Sequence, residues 1–330
     1  MGTRRVGPGG GWGVGVLAIA LAMAIFPVVV NDAYLHHLMI LSLIFAILVS
    51  SWNVLFGFMG VFSFGHQAFF GVGAYVSALL AVKVGLTPWL GCVLGGVGAA
   101  ATSLVISWPT FRLKGPYVSI VTLAFAEVLR IICSNWVDLT RGQLGLAVPP
   151  LFSGSSRIPY YYVVFFLLIV TMGVVVGLVR SSFGLAAVAI REAQDAAESL
   201  GIDVVKYKRV AFVVTSFLAG AVGGVYAHYI GILTPEVMGL NVIFSMLVMG
   251  LFGGIGTLAG PILGAFALTF LAEYLRELAS YRFLIYSLII MMVVLFLPGG
   301  LAGGIRRLQA YIGGRTPGWG RGRPEQRRTP

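Results

Sequence analysis

Charge is what this sequence has least of. Only 10% of the 330 residues are Asp, Glu, Lys or Arg, while 58% are hydrophobic. A soluble domain carries nearer a quarter charged residues, so the chain is built for lipid. The charges are also clumped. The fifty residues between Asp32 and Lys83 contain none, and neither do residues 84–111 or 158–179. A bilayer core needs about 20 apolar residues per helix, so the fifty-residue gap holds at least two spans. Cysteine is almost as scarce. Cys92 and Cys133 both fall in apolar segments, and neither has a spacing that suggests a metal site or a disulfide framework. They read as small buried hydrophobes. The chain has no HExxH, no GxSxG, no P-loop pattern and no cysteine pair. It therefore offers no catalytic residue, no metal site and no hydrolytic or redox chemistry of its own.

Apolar runs fill the remainder. They predict membrane spans at roughly 12–31, 35–56, 64–82, 88–108, 116–136, 159–179, 210–231, 241–253, 257–273 and 283–298. Segments 64–82 and 241–253 are borderline as full crossings. The expected fold is all-α: a polytopic integral membrane helical bundle with about 8–10 transmembrane segments, two of them broken or re-entrant and rich in glycine. Arg4 and Arg5 precede an apolar run, and "ALAMA" resembles a small-residue cleavage site. Residues 12–31 nevertheless form an uncharged stretch longer than a usual signal core, so they read as a first membrane helix. If the N-terminus is cytoplasmic and all ten spans cross, sixteen of the 22 basic residues are cytoplasmic. The positive-inside rule therefore places both termini in the cytoplasm. The membrane domain runs over 1–310. The tail, 311–330, is rich in Gly, Pro and Arg and is expected to be disordered. Its arginines suit anionic lipid rather than nucleic acid.

"FGFMGVFSFGHQAFFGVGAY", residues 56–75, breaks its own helix with five glycines and the polar residues Ser63, His66 and Gln67. Gly costs a helix roughly 1 kcal/mol against Ala, and polar groups are expensive to expose to lipid tails. Glycine tolerates unwinding where backbone lines a cavity, and it also permits close packing of helices. "GLFGGIGTLAGPILGAF", residues 250–266, is a counterpart, with Thr257 in the place of Ser63 and Pro261 in that of Gln67. Paired broken segments point to a translocation path and read here as an inverted repeat. The candidate path residues are Ser63, Gly65, His66, Gln67, Gly71, Gly254, Gly256, Thr257 and Gly260. Glu127 and Arg130 join them, near the centre of the 116–136 span. Their i, i+3 spacing puts them on one helix face, and an internal pair facing the bundle would cost less than a lone carboxylate. Structural pairing and path lining both stay open.

Residues 180–209 form the one sizeable polar segment between spans. Leu185, Ala189, Ala193, Ala196, Ala197 and Leu200 make one apolar stripe, Glu192 sits at its edge, and Gly201 supplies a stop. This predicts a short amphipathic helix at the membrane face. Its small-residue stripe permits close approach by another surface.

Here the chain resembles a family. "DAAESLG", residues 195–201, is similar to the Glu-Ala-Ala-x-x-x-Gly pattern of ABC-importer permeases, with Asp195 for Glu. "GVFSFGHQAFFGVGAY", "GPYVSIVTLAFAEVLR", "LTRGQLGL", "RVAFVVTSFLAGAVGGVYA", "GGIGTLAGPILGA" and "LFLPGGLAG" follow one another as in branched-chain amino acid permeases of the LivM type. The chain departs from many relatives in lacking a basic residue before Pro298, and its Arg-rich tail is not part of the pattern. The resemblance implies a non-enzymatic permease subunit of the bacterial cytoplasmic membrane, moving leucine, isoleucine or valine. Urea, short amides and other amino acids stay open as solutes, and a secondary carrier working alone is the rival class. The implied partners are a second related permease, two ATPase subunits that hold the ATP and Mg, and an extracytoplasmic solute-binding protein. The implied ATPase-coupling residues are Glu192, Ala193, Asp195, Ala196, Ala197, Glu198 and Gly201.

Overall fold

The computed structural model describes residues 10–113, 115–154, 156–275, 288, 291 and 300–304. The expected span 283–298 is largely outside the described residues, as is all of the tail 311–330.

Helix α1 is Gly10–Val29. Asp32 then caps α2, Ala33–Asn53, its carboxylate accepting from the Tyr34 N–H at 2.7 Å. This satisfies one of the donors a helix start leaves unpaired. Five π-helical residues, Val54–Phe58, end α2, and α3 begins at His66 and runs to Lys83. Next come α4, Pro88–Thr110, and α5, Tyr117–Asn135. A single turn follows, α6, Val137–Thr140. Helix α7 is Ile158–Arg180. Two short helices, α8 (Ser182–Glu192) and α9 (Gln194–Ser199), lead to α10, Val204–Ile230. Prolines stand in the first turn of α4 and α7, where the missing N–H would be unpaired anyway. Helices α11, Leu240–Gly253, and α12, Gly260–Tyr274, complete the described bundle. The nine expected spans from 12–31 to 257–273 thus each coincide with a helix. Among the described residues, five stretches are long and apolar enough to cross a membrane: 33–58, 88–110, 117–135, 158–180 and 204–230. The only strands among the described residues are β1, Leu146–Ala147, and β2, Ile232–Leu233, paired antiparallel.

Helices α3, α4 and α10 pack around glycines that let backbones touch. A Cβ built on Gly95 would lie 2.5 Å from the Gly73 carbonyl oxygen, and one on Gly220 would lie 2.9 Å from the Gly95 carbonyl oxygen. Gly71 is buried, and a Cβ there would strike the Met238 side chain. Close packing therefore accounts for these positions. Helix α2 lies at the centre: Ile40, Leu43, Leu48 and Trp52 are fully buried, and α7, α10, α11 and α12 all pack on it.

Direction corrects one expectation. Tyr34, at the start of α2, bonds Glu273 near the end of α12, and Asn53, the last residue of α2, bonds Thr257 just before α12. Helix α12 is thus antiparallel to α2. Helices α11 and α12 form a tight hairpin, so α11 runs parallel to α2. The two broken units share one polarity and are not inverted. A short stretch of similar residues carries no sign of direction.

Candidate functional site

The two breaks meet. Asn53 Nδ2 donates to the Thr257 carbonyl oxygen at 2.9 Å, and the Gly256 N–H donates to Asn53 Oδ1 at 2.9 Å. One buried amide side chain therefore closes two bonds to the unwound backbone of the second segment. A Cβ on Gly57 would lie 2.5 Å from the Gly256 nitrogen, so the two chains touch backbone to backbone. Helices α3 and α12 begin at matched positions of the internal alignment, His66 and Gly260.

Side chains of two helices hold the first break. Trp52 Nε1 donates to the Ser63 carbonyl at 2.8 Å, and Ser119 Oγ donates to the Phe62 carbonyl at 2.9 Å. The Phe64 N–H donates to Thr122 Oγ1 at 3.0 Å. A Cβ on Gly65 would meet the Thr122 carbonyl at 2.9 Å. The second break caps itself: Thr257 Oγ1 donates to the Gly254 carbonyl at 2.8 Å and accepts from the Gly260 N–H at 3.0 Å. Gly254 has φ +115 and Gly256 φ +73, backbone conformations that glycine adopts without steric cost.

Ser63, His66 and Gln67 are each 0% exposed, so in this conformation they border no open channel. His66 Nε2 lies 2.9 Å from Ser51 Oγ. His66 Nδ1 and both amide atoms of Gln67 have no hydrogen-bond partner among the described residues.

Glu127 and Arg130 do form an ion pair. Arg130 Nε donates to the two carboxylate oxygens at 3.0 and 3.1 Å. The pair does not face the bundle interior as expected, however: the side chains of Glu127 and Arg130 are 38% and 26% exposed. Helix α5 lays few residues against its neighbours, and Ile120, Val128 and Ile131 on it are exposed. A third charge, with no signal in the sequence pattern, completes the cluster. Glu236 Oε1 lies 3.6 Å from Arg130 Nη1. The three line an open cavity of about 270 Å³ with Gly239, Leu240 and Asn241.

The polar loop differs from the single amphipathic helix expected. It is two helices, broken at Ala193 (φ −156, ψ 94). Its buried contacts come from Gly184, Ala186, Ala187, Ile190 and Ala197. The expected stripe faces mostly outward: Leu185 is 77% and Leu200 82% exposed. Ala193, Ala196 and the acidic Glu192 and Glu198 are exposed as well. Gly201 turns the chain with φ +84. Helix period alone gave the stripe, but residues one position along it supply the inward contacts. Lys208 Nζ donates to Gln194 Oε1 at 2.7 Å, tying α9 to α10. Arg191 Nη1 donates to the Gly57 carbonyl at 2.8 Å, tying α8 to the first break.

The model of the branched-chain amino acid transport system permease component matches residues 34–298. Among curated relatives, LivM, a high-affinity branched-chain amino acid transport system permease protein of Escherichia coli (strain K12), is 30% identical over 289 residues. That alignment covers 79% of this chain and 68% of LivM. LivH of the same strain, also a permease protein of that transport system, is 24% identical over 284 residues, covering 78% of this chain and 91% of LivH. A probable LivM of Methanocaldococcus jannaschii is 21% identical over 251 residues, covering 70% of this chain and 69% of its own length. No solved structure matches.

Proposed function

We propose, from the premise that this chain belongs to the branched-chain amino acid transport permease family, that it is the LivM-like membrane subunit of an ATP-driven importer. Members of that family are transport components, not enzymes. The solute is leucine, isoleucine or valine, as the names of its relatives indicate for those proteins. Its partners are a second permease related to LivH, two ATPase subunits that bind ATP and Mg, and an extracytoplasmic solute-binding protein. The chain lies in a bacterial inner membrane with both termini in the cytoplasm. The α8–α9 loop then lies on the cytoplasmic side and offers Ala193, Ala196 and the acidic residues around them to the ATPase.

One observation carries the transport reading: two unwound, glycine-rich segments from distant parts of the chain converge on Asn53. Unwound backbone at membrane depth is tolerated where protein buries it or where it borders a cavity. The unpartnered Gln67 amide and His66 Nδ1 support a path there, because buried polar groups ordinarily have partners and a second arrangement of the break would give them some. The Glu127–Arg130–Glu236 cluster supports the same reading. Charge on a spanning helix and open on the chain's surface needs a cover other than lipid, which a second permease or the solute path provides.

Radiolabelled leucine uptake into vesicles, with and without the ATPase subunits, tests the proposal. Uptake is expected to require the ATPase and ATP, and to be competed by isoleucine and valine but not by urea. ATPase-independent uptake would instead make the chain a secondary carrier. For the path, cysteine at Ser63 or Gln67, in a chain without Cys92 and Cys133, should react with a small polar thiol reagent in one nucleotide state and stay protected in another. A cysteine at the exposed Phe166 should be inert in both, because hydrocarbon suppresses the thiolate. Protection of 63 and 67 in every state would leave packing as their only role.

A further inference from the structure

We propose that Arg191 is the positioning residue that transmits movement of the cytoplasmic loop to both broken segments. The inference rests on that loop being the element that meets the ATPase. Arg191 stands in the last turn of α8, two residues before the break at Ala193. Its guanidinium holds two groups at once: Nη1 donates to the Gly57 carbonyl at 2.8 Å, while Nη2 and Nε donate to Glu192 Oε1 at 2.8 and 3.2 Å. A planar fork with five donors can do this, where an ammonium is a single point. The carbonyls that end a helix have no partner within it, so a donor from the loop fits the end of the π turn at Gly57.

Contact with the first break does not stop at one bond. Gly60 has φ +70, and a Cβ there would lie 2.8 Å from Arg191 Cγ, so bare backbone rests on the arginine stem. The second break is within reach too. A Cβ on Gly256 would lie 3.7 Å from Arg191 Nη1 and 3.2 Å from the Gly57 carbonyl oxygen. Asn53 then locks Gly256 and Thr257 to the end of α2. One side chain of the loop thus holds the first unwound backbone and lies beside the second. Helix α9 has a separate tether, Lys208 to Gln194, on α10. With its own anchor on each side of the break, α8 can tilt without α9. A cavity of about 630 Å³, lined by Met59, Phe62, Phe64, Val118, Ile190 and Arg191 among others, gives the first break room to follow it.

The test uses the whole complex in vesicles. Arg191→Met keeps the stem and removes the donors, while Arg191→Lys restores one. ATPase copurification, ATP turnover and leucine uptake are measured on each. Arg191→Met is expected to retain the ATPase subunits and hydrolyse ATP, with uptake per ATP falling about tenfold or more, the scale of one lost charge-assisted hydrogen bond. Arg191→Lys should recover a large part of that ratio. Should Arg191→Met fail to assemble, Arg191→Gln, a shorter neutral donor, takes its place. Uptake per ATP within about twofold of wild type would overturn the proposal. So would a loss that Lys does not relieve and that simply follows a fall in melting temperature, because Arg191 would then be a structural cap. If wild-type uptake needs no ATPase, it is the importer reading that fails, whatever the Arg191 variants do.

Discussion

The two broken segments occupy matching places in the chain and are built in opposite ways. The first, between α2 and α3, is held from outside: Trp52, Ser119, Thr122 and Arg191 each bond its backbone. The second, between α11 and α12, takes two bonds from Asn53 and is otherwise closed from within by one hydroxyl, Thr257, and by glycines that permit its turns. The difference follows from the side chains at hand, because the breaks are nearly equal in length: six residues separate Gly253 from Gly260. Seven residues separate Phe58 from His66, and there the backbone groups need external partners. The second break has Thr257, whose hydroxyl closes two bonds within the break. A segment held by its neighbours moves when they move, whereas a self-capped turn travels as a unit. The first break is therefore the better candidate for the element that changes shape, with the second as its rigid stop.

The sharpest way to break the comparison is at Asn53, where the two segments join. Asn53→Leu preserves volume and removes both bonds, leaving the part-buried Gly256 N–H and Thr257 carbonyl without that partner. Each lost bond costs about 0.5–1.5 kcal/mol, and more where the group left behind is shielded from water, so a loss of about 3 kcal/mol is expected from the two together. It would be read as a large fall in melting temperature in detergent, with uptake abolished. A melting temperature close to wild type would mean that the breaks are not joined through this residue.

Gly57→Ala comes next. Its Cβ would lie 2.5 Å from the Gly256 nitrogen and 2.9 Å from the Gly256 Cα. Backbone on both sides cannot yield as a flexible side chain would, and overpacking of this kind costs about 1–3 kcal/mol. Gly57→Ala should therefore destabilise well beyond Ala substitution at Gly173, which has nothing within 4 Å. Equal melting shifts for the two would show that the segments are further apart than the structure places them.

Both breaks were legible in the sequence, because glycine clusters and polar residues stand out against an apolar background. The helix starts, His66 and Gly260, fall at aligned positions just inside the expected spans 64–82 and 257–273. What joins the breaks was not legible. Asn53 ends a long apolar helix and has no distinguishing neighbour, and its partners are about 200 residues away. Arg191 read as one charge among several on a polar loop. Glu236 stands in a turn more than 100 residues from the pair it completes. Contacts that couple distant segments leave no local periodicity, and local periodicity is what a single sequence displays. The loop illustrates the limit from the other side. Its composition announced a helix, but which face is inward depends on the break at Ala193 and on what lies beneath.

A smaller effect separates the two breaks at aligned positions. Thr257→Val removes a hydroxyl that caps the Gly260 N–H at 3.0 Å and also bonds the Gly254 carbonyl. Loss of such a cap costs about 0.5–2 kcal/mol. Ser63 Oγ accepts only a long bond, 3.4 Å from the Gly65 nitrogen, so Ser63→Ala should cost well under about 1 kcal/mol. Thermal melts of the two variants should rank Thr257→Val as the worse. The reverse order would remove the distinction between a self-capped and an externally held break.

A modest effect is expected at the charge cluster, outside both breaks. A buried Glu127–Arg130 pair would make Glu127→Gln severe, because a lone charge at the bilayer centre is costly. The structure leaves the pair partly exposed and gives Arg130 a second carboxylate, Glu236, at 3.6 Å. With Glu127 neutralised, Arg130 keeps that charge partner. Glu127→Gln should therefore cost well below the roughly 3–5 kcal/mol of an uncompensated buried charge. Neutralising Glu236 as well removes both carboxylates from the guanidinium, and the double variant should fall by more than the sum of the single changes. Melting temperatures of the two single variants and the double variant, compared as a cycle, measure that excess. If the changes add, Glu236 is no partner of Arg130, and the cluster reduces to an isolated i, i+3 pair on an open helix face.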